Sequence, residues 1–389
     1  MIEGMHNYGG TKHLKIAERL KEIREEKGLS KDVLASKLGC SPDHVDRIEN
    51  CLEPIDIVEL NDWLNEIGCD ITEFSRMVGL IKLDSNENNS RPPLPIYGKV
   101  KPHPKGVLQQ LEWRRKIFEV LLEGITVNEY IETEKHITNI FSTLNSKTQT
   151  LKNREAICMA LTYAIDKLPK LNPSDIYQHI IYRLYLREYT RSQADRSWVR
   201  AGGEALELFV GNHYTPLLEA TGIKIKALIS GASKAKALKE MGLENEVGNS
   251  KLDVALYGSF KTGYVIFGGI HIKASLAERV SDDVPCSEAM MRKGVTSFLF
   301  TFDSKSFPPP HGNLINRGEL GSIQNPSDKR NYIEVHGSFD ACFSYNLRTH
   351  PSKDKTVSGK QIYVSSFEKD KDPLPGQIIK AWESFKQKL

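Results

Sequence analysis

The 389-residue sequence predicts a protein of mixed α+β or α/β class, in which two all-helical regions precede a mixed β-sheet flanked by helices. Apolar residues recur at three- and four-residue spacing from residue 13 to 80 and again from 107 to 190, which is typical of helices. From residue 191 onwards, short runs rich in β-branched and aromatic residues alternate with helical segments. A single hydrophobic core rarely extends over a chain of this length, so we expect several domains.

Composition excludes several classes of protein. The 39% hydrophobic and 26% charged residues are typical of a soluble protein, and no run approaches the roughly 18 apolar residues of a membrane helix. The first fifteen residues lack the apolar segment of a secretory signal, so we expect a cytoplasmic protein. The six cysteines form no CxxC pair, which argues against a zinc site. A net charge of +3 does not by itself indicate a nucleic-acid-binding protein.

The first predicted domain, residues 13–80, consists of four short helical segments. Ser30 and Ser41 are expected to cap the second and third helices, because their hydroxyls can accept hydrogen bonds from free amides in the first turn. Val45 and Ile48, three residues apart, would face the core of this domain.

The second and third regions follow a polar stretch. Residues 81–106 are rich in proline and asparagine and predict a linker. Residues 107–190, beginning with VLQQLEWRRKIFEVLLEG, are expected to form a helical subdomain. Residues 191–389 begin with a long helix, roughly Ser192 to Thr221, and continue with the strand-like runs of the sheet.

The segments LSKDVLASKLGCSPDHVDRIENCLEP and LNDWLNEIGCDITEF resemble the XRE family of helix-turn-helix domains. This resemblance implies that the helix beginning at Pro42 lies in the major groove of DNA, with Ser41, His44 and Arg47 as contacts.

Acidic residues on or near the same helix leave a second interpretation open. Asp43, Asp46 and Glu49 would repel DNA phosphates. The domain is therefore expected either to bind DNA or to act in dimerisation or another protein contact.

The third region contains an acid and a lysine on successive predicted strands. Asp253 lies in the run LDVALYG, and Lys273 ends the run GGIHIK about twenty residues later. This arrangement resembles the PD-(D/E)XK nucleases, in which carboxylates hold Mg²⁺ against the scissile phosphate and a lysine orients the attacking water. The preceding helix offers Glu204 and Glu207, where nucleases of this class carry a further acid.

One position departs from the motif, because His271 stands where its second acid is expected. Neutral imidazole is a poor ligand for Mg²⁺. The resembling enzymes often carry this acid on a helix after the lysine, which makes Glu288 the candidate. Asp282 and Asp283 are nearer alternatives, unless they form a solvated acidic turn.

The segments IHIKASLAERVSDDVPCSEAMMRKGV and TFDSKSFPPPHGNLINRGELG resemble BsaWI-like restriction endonucleases that recognise CCGG-type sites. The resemblance covers about residues 195–345 and implies that Glu278 and Arg279 recognise bases. A carboxylate can accept from cytosine N4, and a guanidinium can bond guanine O6 and N7. A solvated charge pair on a helix surface is the alternative interpretation.

The resemblance implies a type II restriction endonuclease that cleaves double-stranded DNA with Mg²⁺. Because a palindrome must be cut on both strands, we expect a homodimer with two active sites. One alternative is a helix-turn-helix transcriptional regulator whose C-terminal region senses a ligand or mediates assembly. Another is a nuclease that also regulates its own expression. Only the nuclease hypotheses predict metal-dependent cleavage that Lys273→Ala abolishes.

Overall fold

The structure is a computed structural model, and the chain divides into two compact units, Met1–Ser90 and Arg91–Leu389. The described residues are 11–53, 55, 57–69, 74, 78, 96–113, 116–145, 152–190, 193–248, 252–276, 280–304, 315 and 317–389. Among them, no helix is both long and apolar enough to cross a membrane.

The N-terminal unit contains the helices α1 (Thr11–Glu26), α2 (Lys31–Leu38), α3 (Pro42–Glu49) and α4 (Ile57–Glu66). The Ser30 hydroxyl accepts from the amide of Val33 and the Ser41 hydroxyl from that of His44, each at 3.2 Å. Val45 and Ile48 are buried in the core of this unit. The predicted caps and core positions are confirmed, because they depend on local spacing that the sequence shows directly.

Residues 96–113 and 116–123 form a three-stranded antiparallel sheet, so the helical prediction for the start of the 107–190 region is wrong. Its strands are β1 (Ile96–His103), β2 (Gly106–Trp113) and β3 (Lys116–Glu123). Strand β1 lies inside the predicted linker of residues 81–106, whose residues 81–95 are outside the described part of the chain.

The misassigned segment, residues 107–124, carries two conflicting signals, an alternating pattern and a helix-favouring composition. Val107, Gln109 and Leu111 are fully buried at alternate positions, as a strand requires. The same segment is rich in leucine, glutamine, glutamate and arginine, which favour helices. Packing of the alternating face against the helices that follow outweighs this propensity.

Among the described residues, four helices lie between β3 and the large sheet and confirm the helical prediction beyond residue 126. They are α5 (Val127–Ser142), α6 (Asn153–Lys167), α7 (Pro173–Asp175, π-helical Ile176–Ile181 and Tyr182–Glu188) and α8 (Ala194–Leu218). Side chains of β2, these helices and the large sheet share one hydrophobic cluster, including Val107, Tyr130 and Phe300. The described residues of 107–190 thus pack into a core that they share with the large sheet.

The predicted mixed sheet with flanking helices is confirmed. It has six strands in the order β4-β5-β6-β7-β8-β9, antiparallel from β4 to β6 and parallel from β6 to β9. The strands are β4 (Ile223–Ala227), β5 (Val254–Phe260), β6 (Gly263–Lys273), β7 (Thr296–Thr301), β8 (Ala341–Ser344) and β9 (Gln361–Val364). The flanking helices are α9 (Gly231–Glu240), α10 (Val280–Arg292), α11 (Asp328–Glu334) and α12 (Pro373–Lys386).

Successive side chains of β6 point to opposite faces of the sheet, and helices cover both faces. Ile270 and Ile272 belong to the large cluster that includes side chains of α8. His271 and Lys273 approach the helix α10 on the other face. The end of β6 therefore presents a lysine to the first turn of α10.

Candidate active site

Asp253 and Lys273 meet where two interior strands of the large sheet lie side by side, at the start of β5 and the end of β6. Asp253 directly precedes β5, whose first residue, Val254, pairs with Ile270 of β6 in antiparallel register. The Asp253 Oδ2 atom accepts from the amide of Ile272 at 2.8 Å and lies 3.3 Å from Lys273 Nζ. The structure thus brings together the acid and the lysine that the motif predicts.

Asp283 supplies a second carboxylate to the same lysine. It lies in the first turn of α10, and its Oδ2 atom is 2.5 Å from Lys273 Nζ. The same oxygen is 3.6 Å from His271 Nδ1. Burial opposes ionisation of Asp283, but His271 and Lys273 outweigh it and hold the pKa of Asp283 below its usual value.

Lys273 remains an ammonium group despite its burial. Burial by itself lowers the pKa of Lys273, whereas Asp253 and Asp283 raise it, and the net result is above the usual value. The lysine therefore presents a permanent positive charge and N–H donors between two carboxylates.

The long helix α8 places one of its two candidate acids at this cluster. Glu207 Oε1 is 3.9 Å from Lys234 Nζ, and burial together with Asp253 raises the pKa of Glu207 to about 8. Glu207 Oε2 is buried and has no hydrogen-bond partner among the described residues. Glu204, by contrast, forms ion pairs of 2.9 Å with Arg154 and Arg200.

Glu288 does not lie beside Asp253 or Lys273. It follows Asp283 by five residues, which places it about 7.5 Å further along the helix and about 140° around it. Its Oε1 atom accepts from the Ser338 hydroxyl at 3.1 Å, just before β8. The neighbouring Ser287 forms a hydrogen bond with Ser297 at the start of β7, whereas Lys273 pairs with Thr301 at the end of that strand. Glu288 therefore lies towards the opposite end of β7 from Lys273. Asp282 is exposed.

Lys234 is a member of the cluster that the sequence analysis did not identify. It lies near the start of α9, and its Nζ atom is 3.1 Å from Asp253 Oδ1. The signal for it was available, because α9 follows β4, whose last residue, Ala227, pairs with Val254. The sequence thus offered lysines of α9 as neighbours of Asp253, and the packing of this helix selects Lys234, whereas Lys236 is exposed.

The cluster suits a divalent cation in the chemistry of its donors. Mg²⁺ prefers carboxylate oxygens, which Asp253, Asp283 and Glu207 provide, and Glu207 Oε2 is buried without a partner. As arranged, no group of three metal-ligating side chains in the described part of the chain lies close enough to hold an ion. The ammonium groups of Lys234 and Lys273 approach the oxygens that a cation would use.

The two predicted base-recognition residues, Glu278 and Arg279, lie outside the described residues. The loop that leads to them is firmly held. Glu319 Oε2 accepts from the amide of Leu276 at 2.6 Å and from the hydroxyl of Ser275 at 2.9 Å. The main chain between Lys273 and the recognition segment is therefore positioned by a side chain that is distant in sequence.

The predicted DNA contacts of the N-terminal unit have other partners within that unit. The hydroxyl of Ser41 caps α3. The ring nitrogens of His44 lie 2.5 Å from Glu59 and 3.2 Å from Glu53, and these hydrogen bonds and charges raise the pKa of His44. Arg47 lies 3.4 Å from Glu53, with 51% of its side chain exposed.

Comparison with known proteins yields two family matches. Residues 232–371 match the model of the BsaWI restriction endonuclease, type 2, and residues 15–57 match a helix-turn-helix domain. The chain is also similar to the type II restriction enzyme AgeI of Thalassovita gelatinovora. The two are 46% identical over 272 residues, which are 68% of this chain and 96% of the relative.

Two solved structures resemble the chain. A crystal structure of the specific restriction endonuclease AgeI-DNA complex matches with a TM-score of 0.65 and 44% identity, over 70% of this chain and 98% of that chain. A crystal structure of the pre-specific restriction endonuclease BsaWI-DNA complex matches with a TM-score of 0.36 and 14% identity, over 67% of this chain and 94% of that chain.

Proposed function

The chain belongs to the type II restriction endonucleases, and we propose that the acid cluster around Lys273 is the centre at which it cleaves DNA. It is a site-specific deoxyribonuclease, and its kinship supports a CCGG-containing target. The observation that carries the proposal is the position of Lys273 Nζ, 3.3 Å from Asp253 and 2.5 Å from Asp283. This arrangement suits metal-dependent phosphodiester hydrolysis, because the two acids can hold a cation while the lysine orients the attacking water.

We assign Mg²⁺ as the cofactor and Asp253, Asp283 and Glu207 as the residues that would hold it. A divalent ion bound there supplies Lewis-acid stabilisation of the charge that develops on the phosphate. Glu207 takes this role rather than Glu204, because two arginines already neutralise Glu204. Asp283 takes the place proposed for Glu288, because only Asp283 contacts the lysine.

Lys273 acts through charge and position. Its ammonium group donates hydrogen bonds, so it can hold the attacking water and face the non-bridging phosphate oxygens. Asp253 fixes the lysine from the strand side and is itself fixed by the amide of Ile272. Attack of the oriented water on phosphorus breaks the bond to the leaving oxygen.

We further propose that Glu278 and Arg279 recognise a C·G step of the target. Glu319 anchors the main chain at Leu276, two residues before Glu278. A bidentate base contact contributes about 1–3 kcal/mol of discrimination. Arg279→Lys should therefore reduce discrimination against one altered base pair by about five- to 150-fold, measured as cleavage of matched duplexes.

Among the predicted contacts of the helix-turn-helix domain, Arg47 is the best candidate for a DNA phosphate. Ser41 caps a helix, and His44 is held by two carboxylates. Arg47→Ala should weaken DNA binding independently of sequence and leave single-turnover cleavage unchanged. A protein contact for this domain remains the alternative, which unchanged DNA binding by the variant would favour.

Cleavage of both strands of a palindrome calls for two reaction centres, so we propose a homodimer as the cutting form. Sedimentation of the protein with and without a cognate duplex tests it, and one protomer per cut duplex would contradict it.

The decisive experiment is digestion of plasmid DNA with Mg²⁺ and with EDTA, followed by sequencing of the fragment ends. We expect metal-dependent fragments with ends at a CCGG-containing palindrome, and their loss in Lys273→Ala. Lys236→Ala is the matched control, because Lys236 is 72% exposed and pairs only loosely, at 3.8 Å, with Glu240. Cleavage by Lys273→Ala at the wild-type rate would refute the proposed centre.

A further inference from the structure

We infer that Lys234 is a positioning residue that serves as the internal counter-ion of the reaction centre and competes with the divalent cation for the same carboxylates. This inference rests on the metal site of the proposed function. It assigns a role to a second lysine, in addition to the one that the motif contains.

The helix α9 holds Lys234 in place. Ser230 caps this helix by accepting from the amide of Ser233, and Lys234 follows in the first turn. Only 14% of the Lys234 side chain is exposed. Its ammonium group is therefore directed at the cluster rather than at solvent.

The contacts of Lys234 are with the acids assigned to the metal. Its Nζ atom lies 3.1 Å from Asp253 Oδ1 and 3.9 Å from Glu207 Oε1. Lys273 approaches the other oxygen of Asp253, Oδ2, at 3.3 Å. The Asp253 carboxylate thus has an ammonium group at each oxygen.

Three acids in a partly buried cluster repel one another, and removing charges from water is costly unless they are paired. Lys234 and Lys273 together offset the negative charges of Asp253 and Asp283, and Lys234 also approaches Glu207. A divalent cation bound to Asp253 and Glu207 would lie close to the Lys234 ammonium group. Like charges at such distances interact strongly in a partly desolvated site, so the lysine must lower the affinity for the metal.

Replacing Lys234 with methionine keeps the length of the side chain and removes its charge. We expect Lys234→Met to bind Ca²⁺, an oxygen-seeking cation, about tenfold more tightly than the wild type or better, in calorimetric titration of the full chain without DNA. In EDTA the variant should melt at a lower temperature than the wild type. Added Ca²⁺ should raise its melting temperature more than that of the wild type.

Two further variants define the role of charge. Lys236→Met removes an exposed lysine from the same helix and should behave as the wild type in both measurements. Lys234→Arg keeps the charge and should restore an affinity within about threefold of wild type. If Lys234→Met folds poorly, as judged by circular dichroism, Lys234→Gln replaces it in the same titrations.

The inference is overturned if Lys234→Met melts at a lower temperature but binds Ca²⁺ as the wild type does, because the lysine is then only structural. Weaker Ca²⁺ binding by the variant also overturns it, because the lysine would then assist the metal. Asp253→Asn separates the two proposals. If this variant binds Ca²⁺ as well as the wild type, the metal site itself is wrong.

Discussion

The replacement Asp283→Asn tests which acid of α10 belongs to the reaction centre. It removes one negative charge and leaves the shape of the side chain nearly unchanged. Asp283 Oδ2 lies 2.5 Å from Lys273 Nζ, and the two side chains are only 4% and 16% exposed. Breaking a buried ion pair costs about 3–5 kcal/mol.

Loss of the same contact in the transition state would cost a comparable energy. Each 1.36 kcal/mol of lost transition-state stabilisation lowers a rate tenfold. If the loss falls on the transition state, Asp283→Asn should cleave about a hundredfold to a few thousandfold more slowly. The assay is single-turnover cleavage of a cognate plasmid with Mg²⁺ and excess enzyme, on protein shown by circular dichroism to be folded.

The matched control is Glu288→Gln on the same helix. Glu288 accepts from Ser338 and does not contact Lys273, so its variant should cleave within about threefold of wild type. Asp283 does not belong to the reaction centre if Asp283→Asn retains wild-type cleavage, or if Glu288→Gln loses activity to the same extent.

Further predictions concern the N-terminal unit, the recognition loop and the sheet. The hydrogen bond to Glu59 raises the pKa of His44. The stabilisation that the charged imidazole provides is therefore complete below pH 6.5 and is lost as the pH rises through the pKa of the folded state. Calorimetry should show a larger difference in melting temperature between wild type and His44→Gln at pH 6 than at pH 9. Glu319→Ala should release the main chain before the recognition segment, and discrimination against an altered site should fall about tenfold while cleavage of the cognate site changes less. Gly258→Ala should lower the free energy of unfolding by about 1–3 kcal/mol in urea, because the added Cβ would lie 2.4 Å from the Trp382 ring.

Each of these predictions has a control or a contrary outcome. An equal pH dependence of stability in His44→Gln and wild type would contradict the first. Glu244→Ala, at an exposed position, should leave discrimination unchanged, and an equal loss there would contradict the second. Gly263→Ala adds a Cβ with no atom within 4 Å, so equal destabilisation by both glycine variants would contradict the third.

Local features were predictable from the sequence. The helices of the N-terminal unit follow from apolar spacing, and their caps from serines at Ser30 and Ser41. The mixed sheet follows from its β-branched and aromatic runs. The meeting of Asp253 and Lys273 was also predictable, because the strands that carry them are consecutive and short turns join neighbours in a sheet.

Tertiary structure decided which acids join the site and which segments form strands. These features depend on contacts between elements that are distant in sequence, and no local sequence pattern specifies how such elements pack. The sequence favoured Glu288 and left Asp282 and Asp283 as nearer alternatives, and only the docking of α10 on the sheet turns Asp283 towards Lys273. The same is true of Glu207, which was an alternative to Glu204 until α8 was placed. Strands β2 and β3 carry helix-favouring residues, and burial of their alternating face determined their conformation. The sequence by itself therefore determined the type of chemistry, and long-range packing determined which of several similar side chains meet at the proposed centre.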